Sequence, residues 1–329
     1  MTASSADRVP ASAAAPAVEV RELRHRYGDR VALDGVSFAV APAEIFGLLG
    51  PNGSGKTTLF RILSTLMLPT SGSATVAGHD VARAPLAVRR TLGVVHQHAS
   101  IDVKLTAAEN LRHQGHLYGL SGAPLARRIA EMLDRVGLRD RASERAETFS
   151  SGMQRRLELA KGLLHRPSVL LLDEPTTGLD PGARRDLWLY LETLRAEEHV
   201  TIVVTTHLME EAERCGRLAI LNHGRIVALG TPAELKSEIG GDVIEFEAFD
   251  AESLAARLRE RFRMEARVVA GKVRLEREGG HRFVTDVVEA FPGEVHAVTV
   301  SKPSLEDVFI HRTGHRFWQE DADAAESAR

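Results

Sequence analysis

The sequence predicts an α/β fold in which a largely parallel sheet is covered by helices on both faces. Three observations carry this. Short apolar runs at residues 45–49, 169–172 and 201–205 have the length and unbroken hydrophobicity of strands buried on both sides. Helical stretches separate them, and alternation of strands with helices is the pattern of a parallel sheet. Residues 106–165 keep helical periodicity for longer than one crossover needs, which predicts a helical subdomain inserted at about 99–165.

The elements follow in order. Residues 18–40 alternate apolar and polar side chains twice around Tyr27-Gly28-Asp29, as an antiparallel edge sheet does. The strand at 45–49 runs into a Gly-rich turn and then a helix over 56–67. Breaks at 119–122 and near Gly137 divide the helical insert, and a helix over 181–196 separates the last two buried strands. After Gly240-Gly241 the pattern changes. Strand 243–249, helix 252–262, a hairpin of 267–270 and 273–277 turning at Gly271, helix 282–291 and strand 295–300 follow one another. Ser304, with Asp307 three residues on, caps a last helix. This β-α-β-β-α-β order predicts a small α+β accessory domain of ferredoxin-like type. The expected organisation is a disordered tail at 1–17, a nucleotide-binding core at 18–239, the accessory domain at 240–317 and a second tail at 318–329. The tails are rich in small and polar residues, with little to bury.

Composition narrows the function classes. Of 329 residues 43% are hydrophobic, enough for a substantial core. A formal net charge of -3 gives no basis for a nucleic-acid partner held by charge, and none is expected. The single cysteine, Cys215, rules out an internal disulfide framework. No apolar run reaches the roughly 18 residues of a membrane-spanning helix. The N-terminal stretch lacks the charged and then apolar segments of a signal peptide.

The strongest chemical signal is Gly50-Pro51-Asn52-Gly53-Ser54-Gly55-Lys56-Thr57, with the spacing GxxxxGK[ST], followed by Thr58. Glycines let the backbone curl its N–H groups toward phosphate oxygens, and the following helix adds the positive end of its dipole. Lys56 supplies a compact cation for the β- and γ-phosphates, and Thr57 a hydroxyl for Mg²⁺. Only 6 of the 42 basic residues are Lys, so a Lys here runs against the habit of the chain. Residues 169–175 deliver Asp173 and Glu174 at the end of a buried strand, where ligands sit in open α/β sheets. Asp173 suits a Mg²⁺ shell and Glu174 the activation of water. Short apolar runs ending in Asp are common, so the pair gains meaning from the glycine-rich loop. Together they predict a nucleotide-binding P-loop protein and no more. Residues 148–157 read as a turn feeding a helix, with Ser150, Ser151 and Gly152 at its N-terminus; on physics alone this is an ordinary Ser-capped helix.

A family resemblance adds to this. Phe149-Ser150-Ser151-Gly152-Met153-Gln154-Arg155-Arg156 resembles the signature motif of ABC ATPases. In order around it, Tyr27 resembles the aromatic that stacks on adenine, and Gln97 the glutamine of the loop that reaches the metal. Thr177-Gly178-Leu179-Asp180 resembles the loop joining two subunits, and His207 the switch histidine that touches the γ-phosphate. Taken singly, a Tyr, Gln or His of this kind is more often structural; the ordered set gives them meaning. Residues 105–111 and the motif Pro303-Ser304-Leu305-Glu306-Asp307-Val308-Phe309 are similar to the daunorubicin-resistance group of exporters.

The resemblance implies an ABC ATP-binding domain with a P-loop, RecA-like core. It implies a head-to-tail homodimer with ATP between the P-loop of one copy and residues 150–152 of the other. It also implies a separately encoded membrane permease and a peripheral place on the cytoplasmic face. Ser151 departs from the family, which has glycine there. Two rival readings remain: an unrelated P-loop kinase or GTPase, which would not explain Gln97, the signature or His207, and a soluble ABC ATPase of translation or DNA repair. The translation types carry two cassettes and the repair types a long coiled-coil insertion, and this chain shows neither.

Overall fold

The computed structural model describes residues 15–97 and 99–317; the tails expected at 1–17 and 318–329 lie outside the described residues, except for 15–17. Strands β1 (Val18–Tyr27) and β2 (Arg30–Val40) form an antiparallel hairpin in which Tyr27 faces Arg30 across the turn. Strand β3 (Ile45–Leu49) is buried at every position and leads to helix α1 (Lys56–Leu63). The helix stops short of the expected residue 67 because Thr65 adopts a left-handed φ of 61°, which turns the chain out of the helix. Strands β4 (Ser71–Val76) and β5 (His79–Asp80) complete an edge sheet in the order β2-β1-β4-β5. Helix α2 (Pro85–Thr91) then feeds strand β6 (Leu92–Val95).

Three helices make the insert: α3 (Ala107–Leu117), α4 (Gly122–Arg135) and α5 (Ser151–Leu163). Thr106 and Glu109 cap α3 reciprocally. The chain returns through β7 (Val169–Asp173), α6 (Pro181–Glu198) and β8 (Thr201–Thr206). It continues through the short helix α7 (Met209–Ala212), strands β9 (Arg217–Asn222) and β10 (Arg225–Gly230), and helix α8 (Pro232–Ser237). The central sheet runs β10-β9-β3-β8-β7-β6, with only the β10–β9 pair antiparallel.

Alternation of side chains across this sheet divides the core. Leu170, Leu172, Ile202 and Val204 face the helical insert and α6, where they meet Leu157, Leu163, Leu187 and Trp188. Leu171 and Val203 face the edge sheet and α1, where they meet Val20, Phe38, Leu59 and Ile62. Because both faces are covered, the strands read as unbroken apolar runs. The insert is therefore no separate globule; it shares its core with one face of the sheet.

Beyond α8 come β11 (Asp242–Ala248), α9 (Ala251–Phe262), β12 (Arg267–Val269), β13 (Lys272–Arg277), α10 (Gly280–Ala290), β14 (Val295–Ser301) and α11 (Leu305–Thr313). The sheet order is β12-β13-β11-β14, antiparallel throughout. This places the fourth strand of the unit beside its first, as in ferredoxin-like modules. Helices α9 and α10 cover one face with Leu254, Leu258, Phe283 and Val287. Helix α11 leaves this module: Leu305, Val308 and Phe309 pack with Leu49, Leu218, Ile220 and Leu235 of the preceding core.

Candidate functional site

Four neighbouring parallel strands end at one edge of the sheet: β3 at Leu49, β8 at Thr206, β7 at Asp173 and β6 at Val95. The segments after them carry the candidate residues, in keeping with ligands binding at the carboxyl ends of α/β sheets. After β3, Gly55 has a φ of 108°, and a Cβ there would lie 2.6 Å from the carbonyl oxygen of Ala32. Only glycine fits that turn. Lys56 is buried at the head of α1, and its Nζ donates to the carbonyls of Gly50 at 2.6 Å and Pro51 at 2.9 Å. The loop therefore closes around its own ammonium group.

A cavity of about 320 Å³ opens here, lined by Tyr27, Asn52, Gly53, Gly55, Lys56, Thr57, Thr58, Gln97 and Glu174 among the expected residues. Gly50, Pro51 and Ser54 form the loop behind it. Tyr27 is 43% exposed. Its hydroxyl lies 3.5 Å from that of Thr58, and its ring meets His25 edge-on at 4.7 Å.

Glu174 collects three side chains from three segments. Gln97 Nε2 donates to its Oε2 at 3.1 Å, Thr177 Oγ1 donates to the same oxygen at 3.4 Å, and His207 Nδ1 lies 3.2 Å away. The hydrogen bond from His207 holds the Glu174 carboxyl below its usual range, against the opposing effect of burial, with Lys56 helping. Reciprocally, Glu174 raises the proton affinity of His207. Asp173 differs. Burial pushes its carboxyl up, opposed by a hydrogen bond of 2.6 Å from the Thr205 hydroxyl to its Oδ1.

Among the described residues no group of three His, Cys, Asp or Glu holds a metal by itself. Thr57, Gln97 and Asp173 offer hard oxygen donors in an incomplete set. That fits Mg²⁺, which keeps waters and substrate phosphate oxygens in its shell.

The signature residues lie elsewhere. Ser150 and Gly152 line a second cavity of about 330 Å³ with Asp180, Arg155 and Arg156, and no residue lines both cavities. Ser150 caps α5 by accepting from Met153 N at 3.3 Å, and Asp180 caps α6 by accepting from Ala183 N at 2.9 Å. Ser151 is the first residue of α5 and is not among the residues with a left-handed φ.

Sequence reasoning missed Arg30 and Arg61, which add two cations to the first cavity. Arg61 lies one helical turn after Thr57, a spacing that was readable. It also missed Thr205, whose hydroxyl inside a fully buried strand had to find a partner.

A family model for the ABC transporter matches residues 33–177. A daunorubicin resistance ATP-binding protein of Streptomyces coeruleorubidus is 40% identical over 309 residues, covering 91% of this chain and 96% of that protein. The Nod factor export ATP-binding protein I of Paraburkholderia xenovorans is also 40% identical, over 91% of this chain and 97% of its own length. Among solved structures, an ATP-binding cassette captured as a dimer in a post-hydrolysis state with ADP and Pi superposes with a TM-score of 0.59. It is 27% identical and covers 65% of this chain and 98% of its own. No helix among the described residues is long and apolar enough to cross a membrane. With relatives spanning nearly its whole length, the chain belongs to the ABC transporter family, as an ATP-binding and ATP-hydrolysing subunit of the group that includes daunorubicin-resistance proteins.

Proposed function

We propose that two copies pair head to tail and bind two ATP molecules, each between the P-loop of one copy and residues 150–152 of the other. Closure on ATP and reopening on hydrolysis then drive export of a drug, antibiotic or lipid-like substrate through a separately encoded, multi-span permease at the cytoplasmic face of the membrane. One observation carries the reading. Lys56, Gln97 and Glu174 line one cavity, whereas Ser150, Gly152 and Asp180 line another. A single chain thus holds two half-sites, and a second copy supplies the missing half. The names of the relatives, daunorubicin resistance and Nod factor export, support the class of cargo.

The roles proposed here are those the family resemblance implies, and the placement of the residues supports them. Tyr27 stacks on adenine at the open end of the cavity. Residues 50–58 cradle the phosphates, with Lys56 as their cation. Thr57, Gln97 and Asp173 would hold Mg²⁺, which would neutralise phosphate charge. Glu174, kept ionised by its neighbours, orients and deprotonates the attacking water, and His207 touches the γ-phosphate. Asp180 belongs to the loop between subunits. The permease docks near residues 97–111.

The test is Glu174→Gln, which keeps shape and removes the base. It binds ATP, hydrolyses it at least ~100-fold more slowly, and accumulates as an ATP-bound dimer on size exclusion. Near-normal turnover would sink the assignment.

A further inference from the structure

The signature helix α5 lays one face against the loop after β6. Arg155, Glu158 and Lys161 recur every third residue and share that face. Arg155 is buried, with 8% of its surface exposed, and its Nη1 donates to the carbonyl of His96 at 2.7 Å, immediately before Gln97. Glu158 accepts from the amide of Ser100 at 2.5 Å and from its hydroxyl at 3.2 Å. Lys161 donates to the Ser100 carbonyl at 2.6 Å. The helix therefore grips the loop on both sides of Gln97.

Arg155 also reaches the opposite wall. Its Nε donates to the carbonyl of Pro175 at 2.6 Å and its Nη2 to that of Asp173 at 3.3 Å. These two carbonyls flank Glu174, whose φ of 43° lies in the left-handed region. A non-glycine residue stays there only when its surroundings fix it. The Glu174 amide is tied as well, to the Thr205 hydroxyl at 3.0 Å. Neighbouring α5 residues pack on the sheet through apolar contacts, Leu157, Leu159 and Ala160 among them. A buried cation in that surface is costly unless it is well partnered. A planar guanidinium with fixed donors meets three carbonyls at once, which an ammonium cannot do in the same geometry.

We propose that Arg155 is a positioning residue for ATP hydrolysis, holding Gln97 and Glu174 in register with the signature helix. The proposal rests on the reading of Glu174 as the base and of residues 150–152 as serving the partner's nucleotide. On that reading the helix touches one ATP at its N-terminus and sets the hydrolytic carboxylate of the other one turn later. Arg155 then makes the two sites cooperative.

The test uses the full chain with steady-state ATPase and nucleotide-binding measurements. Arg155→Met keeps the stem and removes the donors. It lowers kcat at least ~10-fold, since displacing a catalytic group by about 1 Å costs on the order of 100-fold. Arg155 also lines the second cavity, so ATP affinity is measured in parallel; the loss falls on kcat more than on KM, and the Hill coefficient falls toward one. In a Glu174→Gln background the same substitution costs far less than it does alone, because one of the two groups it positions is gone. Arg155→Lys, which keeps the charge and part of the bonding, gives an intermediate kcat and serves where the Met variant does not fold. Unchanged kcat and cooperativity in either folded variant, or a fully additive loss in the Glu174→Gln background, overturns the role of Arg155. Full activity in Glu174→Gln alone overturns the base assignment instead, and this proposal with it.

Discussion

The Oε2 oxygen of Glu174 is the meeting point of Gln97, Thr177 and His207, and its pairing with His207 sets a pH window. His207 is raised from an ordinary value of 6.5, chiefly by Glu174. Its share of stability is fully present below pH 6.5 and is lost as pH rises through the raised folded value. Glu174 is lowered from 4.5, chiefly by His207, so its share is present above 4.5 and is lost as pH falls through the lowered value. The ion pair is complete between pH 4.5 and 6.5. The melting-temperature gap between the native chain and His207→Ala is therefore widest in that window and narrows above it. A gap that stays constant from about pH 5 to 9 would show that the contact is not ionic. At the signature, Ser151 occupies an ordinary first helical turn behind the Ser150 cap. Ser151→Gly then changes ATPase activity less than ~3-fold, glycine costing only about 0.5–1 kcal/mol of helix stability. A tenfold rise would mean that the serine restrains turnover.

At the scale of elements, α11 explains the motif at residues 303–309. Ser304 and Asp307 cap the helix reciprocally, and Asp307 Oδ1 also pairs with buried Arg274 at 2.7 Å. Leu305, Val308 and Phe309 fill the space beneath β9, β10 and α8. Phe309→Ala should cost about 3–5 kcal/mol, the usual range for an emptied aromatic site, read as a lowered denaturation midpoint. Loss of less than ~1 kcal/mol would place the helix outside the cooperative unit. The cap was legible because Ser and Asp three apart have few other uses. The surface that covers the helix was not, since an apolar stripe does not name its partner. Strand β6 escaped for a related reason. It has four residues, one of them Gly93, whose Cβ would lie 2.5 Å from the carbonyl of Gly162 in α5. A run so short and so interrupted carries no period to read.

For the whole molecule, order along the chain becomes adjacency at one edge, because β3, β8, β7 and β6 are neighbours and all point the same way. That is why the P-loop, Gln97, Glu174 and His207 were legible as a set while single residues were not. What the order did not reveal is the second cavity, since separation in space is settled by packing of the insert. The proposed location gives a prediction at this scale. The full chain sediments with membranes only when its permease is co-expressed, and strong membrane binding by the chain alone would contradict the docking scheme.

The route of α11 back onto the core has a consequence for synthesis. The apolar surface beneath β9 and β10 emerges from the ribosome well before the helix that covers it. Residues 238–304 lie between α8 and α11, and at about 5–20 residues per second that interval lasts on the order of 3–14 s. During it the nascent protein carries a complete P-loop and signature above an uncovered greasy patch, open to chaperones and to proteolysis. Messages cut short anywhere in that interval yield chains that display the patch permanently.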